Sequence, residues 1–166
     1  YAGGLVPELQ VSDLIVADKI VDVESSEEFL PDQQWLQLAQ NKSVSENYKV
    51  ISGKLVTANK VIHSPLDKKE FGERLSAQAV EMETSAIAKV VTDKNLPFLS
   101  VRAISDSVEQ EILDSSSFLG RDGEISKLKA GWYVLTHPGS IASALSLRSQ
   151  TQRATRTMTE FVLHLL

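Results

Sequence analysis

The chain has 166 residues, a length that suits one domain with a buried core and is short for two. Hydrophobic residues make up 42% of it and charged residues 23%, as in ordinary globular proteins, and the apolar runs are far shorter than the ~18 to 20 residues of a membrane span. The net charge of −5 argues against a nucleic-acid-binding surface, and the lack of cysteine excludes disulfide and thiolate chemistry and favours the cytoplasm.

The N-terminal part of the chain alternates between β-branched and polar stretches. Residues 13–23 and residues 48–58 are rich in valine and isoleucine, and each predicts a strand. Between them, residues 25–46 are polar and predict a helix that begins near Pro31. The side chains expected on its buried side are Trp35, Leu36, Leu38 and Ala39.

The middle of the chain predicts a strand–helix–strand unit. A short exposed helix over residues 66–75 comes first, followed by a strand over 77–82. Residues 84–93 predict a helix with its apolar side chains at Ile87, Val90 and Val91. Residues 98–104 form a nearly continuous apolar strand. Such a unit implies a right-handed crossover between parallel strands.

The C-terminal part predicts helices only. A turn at residues 121–123 precedes helical segments near 125–135, 140–147 and 154–166. No repeat or linker divides the chain, so residues 1–166 are expected to form a single domain. The predicted fold class is α/β, with a mixed, largely parallel central sheet flanked by helices.

Acidic residues follow two neighbouring strands of this unit. Glu81 and Glu83 end one strand and point the same way while the chain stays extended, and Asp106 ends the next strand. Ligands of open α/β sheets gather at the carboxyl ends of strands, which favours a site there. The alternative is equally compatible with the pattern: Glu83 caps the following helix and Asp106 is a loop residue.

The amino-acid sequence of these segments resembles that of a known superfamily. Residues 79–106 read AVEMETSAIAKVVTDKNLPFLSVRAISD, which resembles the signature of the nucleoside phosphorylase superfamily, as found in purine nucleoside phosphorylases and methylthioadenosine/S-adenosylhomocysteine nucleosidases. Residues 2–5 resemble the A-G-G-L turn of that superfamily. Residues 53–62 (GKLVTANKVI) resemble the strand and loop that line its base site. The resemblance implies a nucleoside phosphorylase-like fold.

The resemblance also implies roles for individual residues. Asp106 would protonate or hydrogen-bond N7 of a purine, with Ser105 orienting it, so that the base departs without a negative charge. Glu83 would accept hydrogen bonds from the ribose hydroxyls. Met82 would pack on the sugar face, although a methionine is more often a filler of the core.

Further positions match the superfamily less sharply. Arg102 would help to hold an attacking water, or else form a structural ion pair with a nearby acid, since an unpaired charge among apolar residues is costly. Glu81 would line the sugar site or brace it. The remaining matches are Val61 and Ile62 at the base and Ala2 and Gly3 beside the ribose.

The match departs from the superfamily at both ends. Full-length members have strands and a helix before the A-G-G-L turn, which carry a phosphate site or a glutamate that activates water. The fold is therefore expected to be incomplete at its N-terminus. The sequence leaves open whether water or phosphate is the nucleophile. A homo-oligomer or a segment supplied elsewhere is expected to cover the exposed sheet. The apolar residues 131–135 resemble the branch associated with hopanoid biosynthesis.

The resemblance thus implies cleavage of the N-glycosidic bond of an adenine nucleoside, by hydrolysis or phosphorolysis. No metal and no cofactor is expected, apart from phosphate as a possible co-substrate, because the three histidines lack metal-ligand spacing and no glycine-rich nucleotide motif is present. The alternatives are a non-catalytic storage or binding protein on the same scaffold, or an inactive fragment that another chain completes.

Overall fold

A computed structural model describes residues 1–41, 48–112 and 139–165, with side chains from residue 149 onward in the last range. The predicted turn at 121–123, the predicted helix near 125–135 and the apolar residues 131–135 lie outside these ranges. The described residues form six strands and four helices: β1 (Ala2–Gly4), β2 (Leu14–Asp22), β3 (Glu28–Phe29), α1 (Gln33–Asn41), β4 (Val50–Thr57), α2 (Pro65–Leu75), β5 (Ala79–Glu81), α3 (Thr84–Asp93), β6 (Val101–Asp106) and α4 (Gly139–Leu165).

The strands form one mixed sheet in the order β3-β2-β4-β5-β1-β6, and β6 also pairs with β2. That extra pairing closes five of the strands into a ring. The longest ladder, between β2 and β4, is parallel, as is the β4–β5 ladder, and the expected mixed, largely parallel α/β sheet is confirmed. The ring is filled by aliphatic side chains such as Ile15, Ala17, Leu55 and Ile104.

One part of the predicted topology is wrong. β5 and β6 were expected to be parallel, but β1 lies between them, antiparallel to β5 and parallel to β6, so β5 and β6 run in opposite directions. The segment predicted as an A-G-G-L turn is this short strand β1. Residues 94–100, between α3 and β6, are long enough at ~3.3 Å per residue to let the chain re-enter the sheet from the other end.

Helix α1 buries only half of its predicted apolar side. Leu36 and Ala39 are buried, three residues apart on one face, whereas Trp35 and Leu38 are 39% and 49% exposed. At 3.6 residues per turn the two pairs cannot share a narrow face, and the sheet covers only one of them. The helix begins after Asp32, whose carboxylate accepts hydrogen bonds from the backbone N–H groups of the first turn.

Helix α3 turns its small residues to the sheet. Thr84, Ser85 and Ala88 are buried, whereas Ile87 and Val90 are more than half exposed. Ser85 Oγ donates a 2.6 Å hydrogen bond to Asp22 at the end of β2. Backbone hydrogen bonding from Ser25 and this bond hold the pKa of Asp22 below its ordinary value. The exposed apolar face is compatible with a homo-oligomer, which stays a prediction.

The C-terminal residues form one helix where two were predicted. α4 continues from Gly139 to Leu165 because the stretch between the predicted segments contains neither glycine nor proline. Its residues Ala154 and Phe161 are buried against Leu14 and Val16 of β2. Among the residues that the structure describes, no helix is both long and apolar enough to cross a membrane.

Candidate active site

A cavity of about 270 Å³ opens where β5, β1 and β6 end beside one another. Because β1 separates the two acidic strands, Gly3 is paired with Val80 of β5 on one side and with Asp106 of β6 on the other. The cavity is lined by Tyr1, Ala2, Gly3, Lys60, Val61, Ile62, Lys68, Val80, Glu81, Met82, Glu83, Ser105, Asp106 and Ile112. The structure thus brings together the site residues predicted from the sequence, with the exception of Arg102.

Asp106 lines the cavity and is 5% exposed. Ser105 Oγ donates to its Oδ1 at 2.7 Å, and the ammonium of Lys68 donates to its Oδ2 at 2.5 Å. Both carboxylate oxygens are therefore oriented by neighbouring donors before any ligand enters. A buried carboxylate held in this way is suited to an interaction with a polar atom of a ligand at a defined position.

Lys68 is a site residue that the sequence reasoning missed. Helix α2, predicted to be exposed, buries this lysine completely. Its three ammonium protons have three acceptors: Asp106 Oδ2, the Ser107 carbonyl at 2.9 Å and the Gln110 carbonyl at 2.8 Å. Lys68 therefore joins α2 to the end of β6 through a buried ion pair.

Glu81 braces the opposite side of the cavity. Its buried carboxylate accepts hydrogen bonds from the backbone N–H groups of Glu83 and Thr84 and from Thr57 Oγ1 at 2.7 Å. These bonds satisfy the free N–H groups at the start of α3. Arg102 adds an ion pair to the same carboxylate at 3.1 Å. The resemblance implied that Glu81 either lines the sugar site or braces it, and these contacts are those of a bracing residue.

Arg102 is not among the residues that line the cavity. Its guanidinium also donates to Thr84 Oγ1 at 2.7 Å and lies 3.5 Å from the carboxylate of Glu83. These contacts correspond to the structural ion pair that the sequence left open as an alternative to holding water. In this arrangement the arginine orients the two glutamates.

The carboxylate of Glu83 is available to bind a ligand. It occupies the N-cap position of α3, but its side chain makes no capping hydrogen bond, because Glu81 already accepts from those N–H groups. The side chain is 72% exposed, and its ion pair with Arg102 is long and solvent-accessible. Glu83 is thus free to accept hydrogen bonds from a ligand, and the capping role considered from the sequence belongs to Glu81.

The remaining walls of the cavity are apolar. Val61 and Met82 are 42% and 50% exposed, whereas Ile62 and Val80 are buried beneath them. The exposure of Met82 argues against a role as core filler. An apolar cavity with a few converging polar groups is typical of small-molecule sites. Among the described residues, no group of histidine and acidic side chains has the arrangement of a metal site.

Gly3 leaves room for the carboxylate of Asp106. A Cβ atom at this position would lie 2.9 Å from Asp106 Oδ2, which Lys68 holds in place. We expect Gly3→Ala to displace the carboxylate and to lower the activity that the resemblance implies by about 10²-fold, since misplacement of a reacting group by about 1 Å has effects of that size. The matched control is Gly4→Ala, whose Cβ would meet nothing closer than 3.4 Å. Equal activities of the two variants in a steady-state assay would contradict the prediction.

Comparison with known protein families shows which superfamily the chain belongs to. Residues 1–125 match the model of the Phosphorylase superfamily, which covers well over half of the chain. The chain belongs to this superfamily.

Solved structures similar to this superfamily member show the same fold. Futalosine hydrolase of Helicobacter pylori strain 26695 aligns with 99% of the chain at 19% identity and a TM-score of 0.68. Two methylthioadenosine/S-adenosylhomocysteine nucleosidases align equally well: that of Colwellia psychrerythraea 34H in complex with adenine (18% identity) and that of Neisseria meningitidis in complex with methylthio-immucillin-A (21% identity), each over 99% of the chain with a TM-score of 0.68. The chain spans 62% to 65% of the length of these three proteins.

Proposed function

We propose that this protein cleaves the N-glycosidic bond of a purine nucleoside, with Asp106 at the base and Glu83 at the ribose. The observation that carries the proposal is the shared cavity: a buried, oriented carboxylate and an exposed one, held only by a long ion pair with Arg102, line the same apolar space. Membership of the Phosphorylase superfamily and the likeness to nucleosidase structures support it.

The two carboxylates divide the chemistry. A departing purine carries the electron pair of the broken C–N bond, and a proton delivered to N7 from Asp106 neutralises it. The ribose becomes cationic at the same moment, and the negative charge of Glu83 near its hydroxyls becomes more favourable as that charge develops. Ser105 holds Asp106 Oδ1 in orientation, and Arg102 orients Glu81 and Glu83.

The proposal also specifies the substrate and the nucleophile. An adenine nucleoside is proposed because one similar structure holds adenine, and hydrolysis is placed ahead of phosphorolysis because the similar structures are described as nucleosidases and a hydrolase. Val61 and Ile62 would contact the base, and Met82, Ala2 and Gly3 would surround the ribose.

The test is an assay of free adenine released from adenosine and from 5′-methylthioadenosine by the complete gene product. We expect release that does not depend on phosphate. If adenine release requires phosphate, the reaction is phosphorolysis and not hydrolysis. The bond that is cleaved is the same in both reactions. Tight binding of a nucleoside without any release, in either buffer, would instead favour a storage or binding protein.

A further inference from the structure

The buried lysine next to Asp106 is not explained by the proposed roles of the cavity. A fully buried ammonium is costly unless its charge is paired, and removing one partner of such a pair is strongly destabilising. Lys68 is 0% exposed and lies 2.5 Å from Asp106 Oδ2. The fold therefore keeps a positive charge beside the very carboxylate that faces the cavity.

We propose that Lys68 is a positioning residue that makes Asp106 an effective acid toward the departing base. The inference rests on the proposed function. Its ammonium holds Oδ2 against Gly3, which leaves Oδ1, on the side of Ser105, as the oxygen that exchanges a proton with the ligand. It also stabilises the negative charge that appears on the carboxyl group when that proton leaves.

Asp106 is the carboxylate partner of Lys68 in the free protein, so its Oδ1 first takes up a proton from solvent. That O–H bond then breaks, an N–H bond forms on the base, and the electron pair of the glycosidic C–N bond moves into the base. Asp106 becomes a carboxylate, and the ribosyl cation is captured by the nucleophile. Lys68 keeps its own protons throughout, and its ion pair with the Asp106 carboxylate is restored in this step. Fixed charge aimed at charge that develops in a transition state is a strong source of catalysis.

A purely structural role is the competing explanation. Lys68 also donates to the carbonyls of Ser107 and Gln110, and the segment they belong to leads to Ile112, whose backbone N–H bonds to the carbonyl of His63. Loss of this anchor would deform the cavity wall and slow every substrate alike. The two roles are separated by a substrate whose leaving group needs no proton.

The experiment compares adenosine with p-nitrophenyl β-ribofuranoside in Lys68→Met of the complete gene product. Nitrophenolate departs as a stable anion, so an acid aimed at the leaving group has nothing to contribute. We expect kcat for adenosine to fall by about 10²- to 10³-fold with KM nearly unchanged, since one electrostatic contact to developing charge has effects of this size. Turnover of the nitrophenyl riboside should be preserved. Lys69→Met, on the exposed side of the same helix, is the matched control.

Each outcome decides the inference. An equal loss of kcat on both substrates would show that Lys68 only supports the cavity wall. No loss of kcat on either substrate would show that Lys68 neither supports the wall nor assists Asp106. Both results overturn the proposal. If Lys68→Met does not fold, Lys68→Gln retains donors for the two carbonyls without the charge, and the same divergence between substrates is expected. A wild-type protein that cleaves neither riboside would refute the proposed function itself, which is distinguishable from failure of the variant.

Discussion

Asp106→Asn is expected to lower kcat for adenosine by about 10²- to 10⁴-fold while KM changes little. The amide has nearly the shape of the carboxyl group and still hydrogen-bonds N7 of a purine, but it has no acidic proton to deliver. The loss should therefore appear in the chemical step. Steady-state kinetics of adenine release, with binding of a nucleoside measured separately by calorimetry, checks the prediction. Wild-type kcat in this variant would remove Asp106 from the mechanism.

The same substitution also disturbs a buried ion pair, which calls for a control. Asp106→Asn leaves the ammonium of Lys68 without a countercharge, and breaking a buried pair on one side costs up to about 3 to 5 kcal/mol of folding stability. Lys68→Met in the Asp106→Asn background removes the unpaired charge and should recover much of that stability without recovering activity. Recovery of activity together with stability would mean that unfolding, and not chemistry, caused the loss.

The parts of the site that are local in sequence could be predicted. Asp106 and the Glu81–Glu83 pair follow strands that hydrophobic patterning alone locates, and the structure ends β5 at Glu81 and β6 at Asp106. Their convergence could not be derived correctly from a parallel crossover, because β5 and β6 are antiparallel. The acidic ends meet because β1 lies between them and pairs with Val80 on one side and with Asp106 on the other. That arrangement depends on the pairing of residues about 80 and 100 positions apart, for which the sequence carries no local signal.

Lys68 was missed for a different reason. Its charge made α2 look like a solvent-exposed helix, yet the lysine lies on one helical stripe with Phe71, Gly72 and Leu75, at spacings of three, four and seven residues. A charged residue within an apolar stripe is a signal of a buried partner, and Asp106 is that partner. The identity of the partner still required the structure. The division of work between Glu81 and Glu83 also depended on side-chain direction at a helix start, which sequence spacing does not determine.

Glu83→Gln should weaken both ground-state binding and catalysis, in contrast to the effect at Asp106. Its hydrogen bonds to the ribose hydroxyls would exist in the bound substrate and strengthen as the ribose becomes cationic. A hydrogen bond to a charged group contributes about 1.5 to 3 kcal/mol, so kcat/KM should fall by roughly 10- to 10²-fold, shared between a higher KM and a lower kcat. Folding stability should change little because the ion pair with Arg102 is long and solvent-exposed. Glu70→Gln, on the exposed surface of α2, is the matched control.

The substrate dependence of this variant identifies the group that Glu83 contacts. Adenosine and p-nitrophenyl β-ribofuranoside share the ribose, so Glu83→Gln should slow both to a similar extent, whereas Asp106→Asn should slow only adenosine. Removing the sugar hydroxyls removes the partner of Glu83, and the variant and the wild type should then cleave 2′,3′-dideoxyadenosine at similar rates. If the substitution still slows the dideoxy substrate as much as adenosine, Glu83 acts on the base or on the nucleophile, and its assignment to the ribose is wrong.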